Sequence, residues 1–216
     1  MWPSRWHLPH SKRDQESLTM DPETKESPLR TLAAWIAEAR AQGVSDPDAM
    51  ALATATPLGV PSVRIVLCRG LDDDALRFFT NYESRKGIEL DTNGHAAAVF
   101  HWRELKRQVR VEGTVSRASA AASDAYFGSR PRGNRIASLV SPQSRPITSL
   151  AELQAQFAAR TAELEGQEEI PRPSHWGGYE LRATAVELWI ADPVRLHECI
   201  RYERLGAEWK GARRAP

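Results

Sequence analysis

The chain has 216 residues, of which 41% are hydrophobic and 26% are charged, and its 29 Lys and Arg nearly balance its 28 Asp and Glu. This composition is typical of a globular protein with one domain, and the formal net charge of +1 argues against a general nucleic-acid binder. The two cysteines have neither disulfide-framework nor metal-ligand spacing, and no segment is long and apolar enough for a membrane span. We therefore predict a cytoplasmic protein with no metal site and no membrane or nucleic-acid partner.

The first 26 residues are polar, are interrupted by three prolines and have no periodic apolar face. Such a segment cannot bury enough apolar surface to fold alone, so we predict a flexible N-terminal arm over residues 1–26. Met20, within this arm, is an alternative natural start to Met1. A single domain is predicted over residues 27–216.

One helix precedes a succession of strands. Ser27-Pro28 is a suitable N-cap and first-turn pair, and the apolar residues that follow have helical spacing as far as Gly43. Apolar runs between turn residues then predict strands over residues 50–55, 62–69, 76–80, 96–102, 107–116, 178–190 and 195–204. Further helices are predicted to begin at Ser84 and to span residues 120–127 and 149–165.

Short strands with few helices between them indicate a mainly β fold, an antiparallel sheet or barrel with peripheral helices. A regular βαβ alternation and a Gly-x-Gly-x-x-Gly turn are both missing from the sequence. The pattern therefore argues against a Rossmann dinucleotide-binding site.

A first candidate anion site is Ser84-Arg85-Lys86, which follows a predicted strand and opens a predicted helix. Two cations beside the free N–H groups of a helix start can bind a phosphate. From these three residues alone, an N-cap followed by two solvated cations is an equally good interpretation.

A second candidate anion site combines cations with hydroxyl and amide donors, as a phosphate monoester requires, in Arg69, Tyr126, Arg130 and Asn134. Tyr126 and Arg130 are four residues apart, so one helical turn can bring them to the same face. A surface stack of Tyr on Arg is the commoner arrangement for such a pair and remains an alternative.

A third candidate site is the late segment Arg195-Leu196-His197-Glu198-Cys199. Alternate side chains of a strand share a face, so Arg195, His197 and Cys199 are predicted to lie on one side. A cation beside an imidazole can hold an anionic planar ligand, although a solvated strand face is the commoner arrangement.

These sites belong to an ordered set of longer motifs: Thr80-Asn81-Tyr82-Glu83-Ser84-Arg85-Lys86-Gly87, Arg107-Gln108-Val109-Arg110-Val111-Glu112-Gly113, Tyr126-Phe127-Gly128-Ser129-Arg130-Pro131, Gln143-Ser144 and Glu187-Leu188-Trp189. Together with the segment at Arg195, the set resembles the pyridoxamine 5′-phosphate oxidase family, and the resemblance spans residues 27–216. It implies the family's FMN-binding split β-barrel, FMN as the cofactor and a homodimer.

The resemblance also implies roles for individual residues. Arg85 and Lys86 would hold the FMN phosphate, and Gln143 and Ser144 would reach the cofactor from the partner subunit. The other implied cofactor contacts are Arg64, Ile65, Val66, Leu67, Phe79, Thr80, Gln108 and Trp189, although Trp189 alone would suit a core position. The implied substrate contacts are Arg69, Tyr126, Arg130 and Asn134 at the substrate phosphate, with the catalytic pair Arg195 and His197 at the pyridine ring.

The implied reaction is the oxidation of pyridoxamine 5′-phosphate or pyridoxine 5′-phosphate to pyridoxal 5′-phosphate, with reduction of O2 to H2O2. The flavin supplies the redox chemistry, and protein groups position the phosphorylated B6 vitamer. No residue is nominated as a strong general base.

The sequence departs from the family pattern at four positions. Relatives usually have Arg where this chain has Cys199, Lys at Arg69, Ser at Asn134 and Leu at Arg214. These departures concern the substrate more than the fold or the cofactor. Two alternatives therefore remain, a related flavin oxidase acting on another ring, as in the phenazine pathway, and a non-catalytic, flavin-free binding protein on the same barrel.

Overall fold

The computed structural model describes residues 20–216, which form a mainly β fold with five helices on one nine-stranded antiparallel sheet. The strands are β1 (Ala49–Ala55), β2 (Pro61–Leu67), β3 (Gly70–Leu71), β4 (Ala75–Asn81), β5 (His95–Trp102), β6 (Arg107–Arg117), β7 (Trp176–Ile190), β8 (Glu198–Leu205) and β9 (Glu208–Arg213). The helices are α1 (Leu29–Ala41), α2 (Arg85–Asn93), α3 (Ala120–Ser129), α4 (Arg132–Val140) and α5 (Leu150–Glu163). In this part of the chain, no helix combines the length and apolarity needed to cross a bilayer.

The sheet is organised around the long strand β7. β6 pairs along most of one edge of β7, with a register shift between Glu112 and Gly113. On the other edge, β4 pairs with the first half of β7 and β8 with the second half. The strand order β2-β1-β5-β6-β7-β4-β3, with β8 and β9 branching from β7, gives a curled, divided sheet. This confirms the predicted split β-barrel.

Helix α1 covers the core as its spacing predicts. Its apolar face is almost fully buried and comprises Leu29, Leu32, Trp35, Ile36 and Ala39. These side chains pack in one apolar cluster with residues of the strands. Burial of this face, worth about 25 cal/mol per Å² of apolar surface, stabilises the helix more than its intrinsic propensity does.

The start of α2 is fixed against the end of β4. The Ser84 hydroxyl accepts a hydrogen bond from the backbone N–H of Gly87 at 3.3 Å, which caps the helix. A Cβ at Gly87 would lie 2.1 Å from the carbonyl oxygen of Tyr82, so only glycine permits this close approach. Residues 84–86 therefore have a fixed position relative to β4.

The predicted start of β8 at Arg195 is wrong, since the strand begins at Glu198. Residues 191–197 form a turn between β7 and β8. The Asp192 carboxylate accepts a hydrogen bond from the backbone N–H of Val194 at 2.9 Å, and the Asp192 carbonyl accepts from that of Arg195 at 3.1 Å. Asp is suited to such a turn because its side chain can replace a backbone acceptor.

Three further elements, β3, α4 and β9, were not predicted from the sequence. Residues 1–19 of the expected flexible arm lie outside the described residues. From residue 20 the chain packs against the last strands: Met20 is 8% exposed, and the Tyr202 hydroxyl donates to the carbonyl of Asp21 at 3.0 Å. The end of the expected arm is therefore held in place.

Candidate functional site

Lys86 is a buried cation in the first turn of α2. The residue is 8% exposed, and its ammonium donates hydrogen bonds to Thr80 Oγ1 at 3.1 Å, Ser84 Oγ at 3.2 Å and Gln143 Oε1 at 3.3 Å. All three acceptors are neutral, and no ion pair joins Lys86 to a carboxylate of residues 20–216. Burial, and secondarily the charge of Arg64, lowers the pKa of Lys86 to about 8. A cation in this environment favours an anionic ligand.

Arg64, whose charge acts on Lys86, and Arg85 share the carboxylate of Glu89. Arg85 Nε donates to Glu89 Oε1 at 2.8 Å, and Arg64 Nη2 lies 3.5 Å from Glu89 Oε2. With Lys86 protonated, three cations and one carboxylate give a net charge of about +2, which complements a phosphate monoester dianion. The start of α2 adds backbone N–H groups of the same polarity. The residues present therefore fit the phosphate group of FMN.

The side chain of Gln143 is hydrogen-bonded to Lys86 of the same chain. Its Oε1 accepts hydrogen bonds from Lys86 and, at 3.0 Å, from Thr80 Oγ1. Ser144, the next residue, has a φ of 71° and is exposed. The resemblance placed Gln143 and Ser144 at the cofactor of the partner subunit, whereas the structure brings Gln143 to the phosphate cluster within one chain.

An aromatic stack on α3 and β7 supports the second candidate anion site. Tyr126 lies parallel to Phe79 with ring centroids 3.9 Å apart, and Trp176 lies parallel to Tyr126 at 6.1 Å. The Arg130 guanidinium lies 4.6 Å from the Trp176 ring centroid and donates to Ser138 Oγ at 2.8 Å. Burial lowers the pKa of Arg130, and no ion pair to it is found in residues 20–216. The structure thus brings Tyr126 and Arg130 together on an aromatic surface.

The other two members of this candidate site have different surroundings. Asn134 lies in α4, is exposed, and donates its backbone N–H to the Pro131 carbonyl. Arg69 forms an ion pair with Asp48, a residue that is 7% exposed. The charge of Arg69 is therefore partly compensated by the fold itself.

The third candidate site lies on the turn between β7 and β8. His197 Nδ1 accepts the backbone N–H of Asp192 at 2.9 Å, and its ring contacts Trp189 with centroids 4.6 Å apart. The neutral imidazole then carries its proton on Nε2, which can donate to a ligand. Arg195 has a φ of 65° and an exposed side chain, a backbone conformation uncommon outside glycine and often found at functional positions. The common strand face predicted for Arg195, His197 and Cys199 is wrong, because the first two precede the strand.

Gln108, Trp189 and Cys199 form a row across three strands. Trp189 is the register partner of Gln108 on β6 and of Cys199 on β8, and direct partners share one face of a sheet. The implied cofactor contacts Gln108 and Trp189 therefore lie side by side next to Cys199. The remaining implied contacts follow β2, where Ile65 is 67% exposed while Val66 and Leu67 are half-buried.

Arg201 forms an ion pair with Glu112. Its two terminal nitrogens donate to Glu112 at 3.0 and 2.8 Å. Cys199 itself is 7% exposed, and its burial, followed by the charge of Glu187, raises the pKa of its thiol. Arg201 is therefore not a spare cation that could replace the arginine absent at position 199.

Sequence reasoning missed several residues of these clusters, among them Glu89 and Trp176. The signal for Glu89 is its spacing of four from Arg85 on a helix, which permits an ion pair. Trp176 offers no local signal, because its contact with Arg130 depends on how β7 packs against α3.

The divided antiparallel sheet places the chain among the split β-barrel proteins. A family model described as "Pyridoxamine 5'-phosphate oxidase" matches residues 36–162, and one described as "Pyridoxine 5'-phosphate oxidase C-terminal dimerisation region" matches residues 176–216. The chain therefore belongs to the pyridoxamine 5′-phosphate oxidase family, a family of oxidoreductases.

Curated relatives are similar over most of their length. The pyridoxine/pyridoxamine 5′-phosphate oxidase of Salinibacter ruber is 49% identical, with 88% of this chain and 90% of the relative covered. The protein of the same description from Bordetella pertussis is 44% identical, with 94% and 95% covered.

Two solved structures have the same architecture. PhzG from Burkholderia lata 383, solved with tetrahydrophenazine-1-carboxylic acid, has a TM-score of 0.84 and 33% identity, and 90% of this chain and 95% of that chain are covered. A pyridoxamine 5′-phosphate oxidase-related, FMN binding protein from Nostoc punctiforme PCC 73102 has a TM-score of 0.70 and 19% identity, with 91% and 100% covered. The second comparison supports the fold alone.

Proposed function

We propose that the protein is an FMN-dependent oxidase that converts pyridoxamine 5′-phosphate and pyridoxine 5′-phosphate to pyridoxal 5′-phosphate, with reduction of O2 to H2O2. The observation that carries the proposal is the buried Lys86 ammonium, which has only neutral hydrogen-bond partners at the start of α2. The 44–49% identity to curated oxidases of these substrates over most of the chain supports it.

The residues then have distinct tasks. Lys86, Arg85 and Arg64 hold the FMN phosphate, while β2 and the row containing Gln108 and Trp189 line the flavin. When bound, FMN would supply the redox chemistry, a two-electron, two-proton oxidation of the substrate at C4′ coupled to reduction of O2 to H2O2; with the amine substrate, water then converts the imine to the aldehyde and releases ammonia.

The substrate contacts are assigned to two other groups of residues. Arg130 and Tyr126 bind the substrate phosphate, with Arg69 and Asn134 at its periphery. Arg195 and His197 hold the pyridine ring, and the proton on His197 Nε2 can be donated to a ring oxygen or nitrogen. Positioning of this kind lowers the barrier without a strong base.

The test is purification of the protein, inspection for a flavin absorption spectrum and measurement of O2 uptake. Pyridoxamine 5′-phosphate and pyridoxine 5′-phosphate are expected to be oxidised with release of H2O2, whereas pyridoxamine without its phosphate is expected to react poorly. A colourless protein that cannot be reconstituted with FMN, or a flavoprotein inactive on both phosphates, would contradict the proposal.

A second candidate function is oxidation of a reduced phenazine ring. The similarity to PhzG, which was solved with a tetrahydrophenazine carboxylic acid, favours it. Such a substrate has a carboxylate and no phosphate, so it is readily distinguished from the B6 phosphates in an assay. Measuring O2 uptake by the wild type with a reduced phenazine carboxylate and with both B6 phosphates separates the two functions.

We expect a homodimer with two FMN sites at the subunit interface. The dimerisation region matched over residues 176–216 contains Trp189, His197 and Cys199, so the flavin-lining row would lie near the partner. Light scattering on the purified protein should give twice the mass of the 24.1 kDa chain. A monomer that retains FMN tightly would contradict this prediction.

Cys199→Arg is expected to tighten FMN binding by roughly tenfold, because a guanidinium beside Trp189 could donate a charged hydrogen bond to the flavin, worth about 1.5–3 kcal/mol before the cost of its burial. Fluorescence titration of apoprotein with FMN measures the change. Cys199→Ser, which adds no charge, is the matched control and should leave the affinity unchanged. Unchanged or weaker affinity in Cys199→Arg would show that the site has adapted to the cysteine.

A further inference from the structure

Glu89 is a buried carboxylate within the proposed phosphate cluster. Its side chain is 4% exposed, and its Oε2 accepts hydrogen bonds from Thr54 Oγ1 at 2.5 Å and Ser62 Oγ at 2.6 Å. Its Oε1 accepts from Arg85 Nε at 2.8 Å. Burial opposes ionisation, but the hydrogen bonds from Ser62, Thr54 and Arg85 outweigh it and lower the pKa of Glu89 to about 2. The carboxylate is thus ionised at any pH near neutrality.

The same two hydroxyls connect Glu89 to Arg64. Thr54 Oγ1 accepts from Arg64 Nη1 at 2.6 Å, and Ser62 Oγ accepts from Arg64 Nη2. Each hydroxyl therefore accepts a hydrogen bond from the guanidinium and donates one to the carboxylate. This network joins β1, β2 and α2 and orients Arg64 through Glu89.

Arg85 is tied to Glu89 by one nitrogen only. Its Nε bonds the carboxylate, while Nη1 and Nη2 have no hydrogen bond within residues 20–216, and the side chain is 57% exposed. Glu89 thus fixes the stem of Arg85 and leaves its outer nitrogens available for a ligand.

We propose that Glu89 is the internal counter-anion of this site: it positions Arg64 and Arg85 before a ligand binds, and it limits the affinity for a phosphate-bearing ligand. Identifying the ligand as FMN rests on the proposed function. Neutralising Glu89 raises the net charge of the cluster from about +2 to about +3, which attracts a dianion more strongly. It also leaves the partly buried guanidinium of Arg64 without its counter-ion, which destabilises the unliganded fold.

The two effects have opposite signs in Glu89→Gln, which keeps the size of the side chain. FMN is expected to bind roughly tenfold more tightly, while riboflavin, the same ring without a phosphate, should bind with unchanged affinity. The apoprotein should melt at a lower temperature than the wild type. A residue with a merely structural role would weaken the binding of both flavins when replaced.

Glu163→Gln is the matched control, because Glu163 pairs with Arg160 on α5 and is 61% exposed. It should change neither flavin affinity nor melting temperature. Glu89→Asp keeps the charge, so its FMN affinity should stay within about twofold of the wild type. It also provides the test if the Gln variant does not fold, since tighter FMN binding by Glu89→Asp would overturn the inference.

Fluorescence titrations of each apoprotein with FMN and with riboflavin, together with thermal melts, test the role of Glu89. A wild type that binds FMN no better than riboflavin contradicts the proposed function itself. A wild type that prefers FMN, with Glu89→Gln unchanged or weaker for FMN or equally shifted for riboflavin, overturns only the role of Glu89.

Discussion

Lys86→Met is expected to weaken FMN binding by roughly 100-fold while stabilising the apoprotein. The loss follows from removal of a charge-assisted hydrogen bond to the phosphate, worth about 1.5–3 kcal/mol. The gain follows because Lys86 is 8% exposed and its ammonium has only neutral acceptors, so replacing the side chain with an apolar one of similar length removes an uncompensated buried charge. Flavin titration and thermal melting of the same preparation measure both changes.

In the wild type, the pH dependence of the unfolding free energy and of FMN affinity should reveal the contribution of the Lys86 ammonium. The pKa of Lys86 falls from its ordinary 10.5 to about 8 in the folded chain, so the unfolded chain binds more protons between pH 8 and 10.5. The contribution of Lys86 to the unfolding free energy therefore rises with pH over this window. FMN affinity should change in the opposite direction and fall above about pH 8, as the ammonium loses its proton.

Lys210→Met, at an exposed lysine of β9, is the control and should retain wild-type affinity and its pH dependence. Lys86→Met should lack the decrease in FMN affinity above pH 8. Wild-type affinity in Lys86→Met would show that Lys86 does not contact the phosphate, whereas a less stable apoprotein would show that the unliganded fold already compensates the charge of Lys86.

Patterns read from nearby residues predicted much of the fold and of this cluster. The spacing of Leu29, Leu32 and Ile36 predicted α1, and Ser84 predicted the start of α2, because both depend on residues within one or two turns. Apolar runs between turn residues predicted seven of the nine strands for the same reason. The pairing that makes β7 the centre of the sheet depends on distant residues and could not be obtained in this way.

The misplaced residues show where local patterns fail. Arg195 and His197 lie among apolar residues that suit a strand. Asp192 and Pro193 just before them favour a turn, however, and the structure has a turn there. The contact of Glu89 with Thr54 and Ser62 joins a helix to two strands, so sequence spacing cannot reveal it. Contacts between distant segments decide which charges are compensated and which remain available for a ligand.

Arg195→Ala and His197→Ala are each expected to lower kcat/KM for pyridoxamine 5′-phosphate by roughly 100-fold and to leave FMN affinity within about twofold of the wild type. Arg195 has an exposed side chain without a hydrogen bond or ion pair within residues 20–216, and its fixed turn holds it beside the strand end. His197 is oriented by the backbone N–H of Asp192 and by Trp189. Both therefore suit a ring-binding role that is separate from the phosphate cluster at α2. Steady-state O2 uptake and flavin titration measure the two quantities.

Val194→Ala is the matched control, since Val194 belongs to the same turn and its side chain is 73% exposed. Alanine retains the Cβ, so Arg195→Ala does not add backbone strain at the positive φ that Arg195 already adopts. A loss of activity confined to Arg195→Ala and His197→Ala would thus reflect missing side-chain groups rather than a disturbed turn. If Val194→Ala lost as much activity, the turn itself would be what matters. If either variant lost FMN while fully active after FMN was added back, the residue would belong to the cofactor site and not to the substrate site.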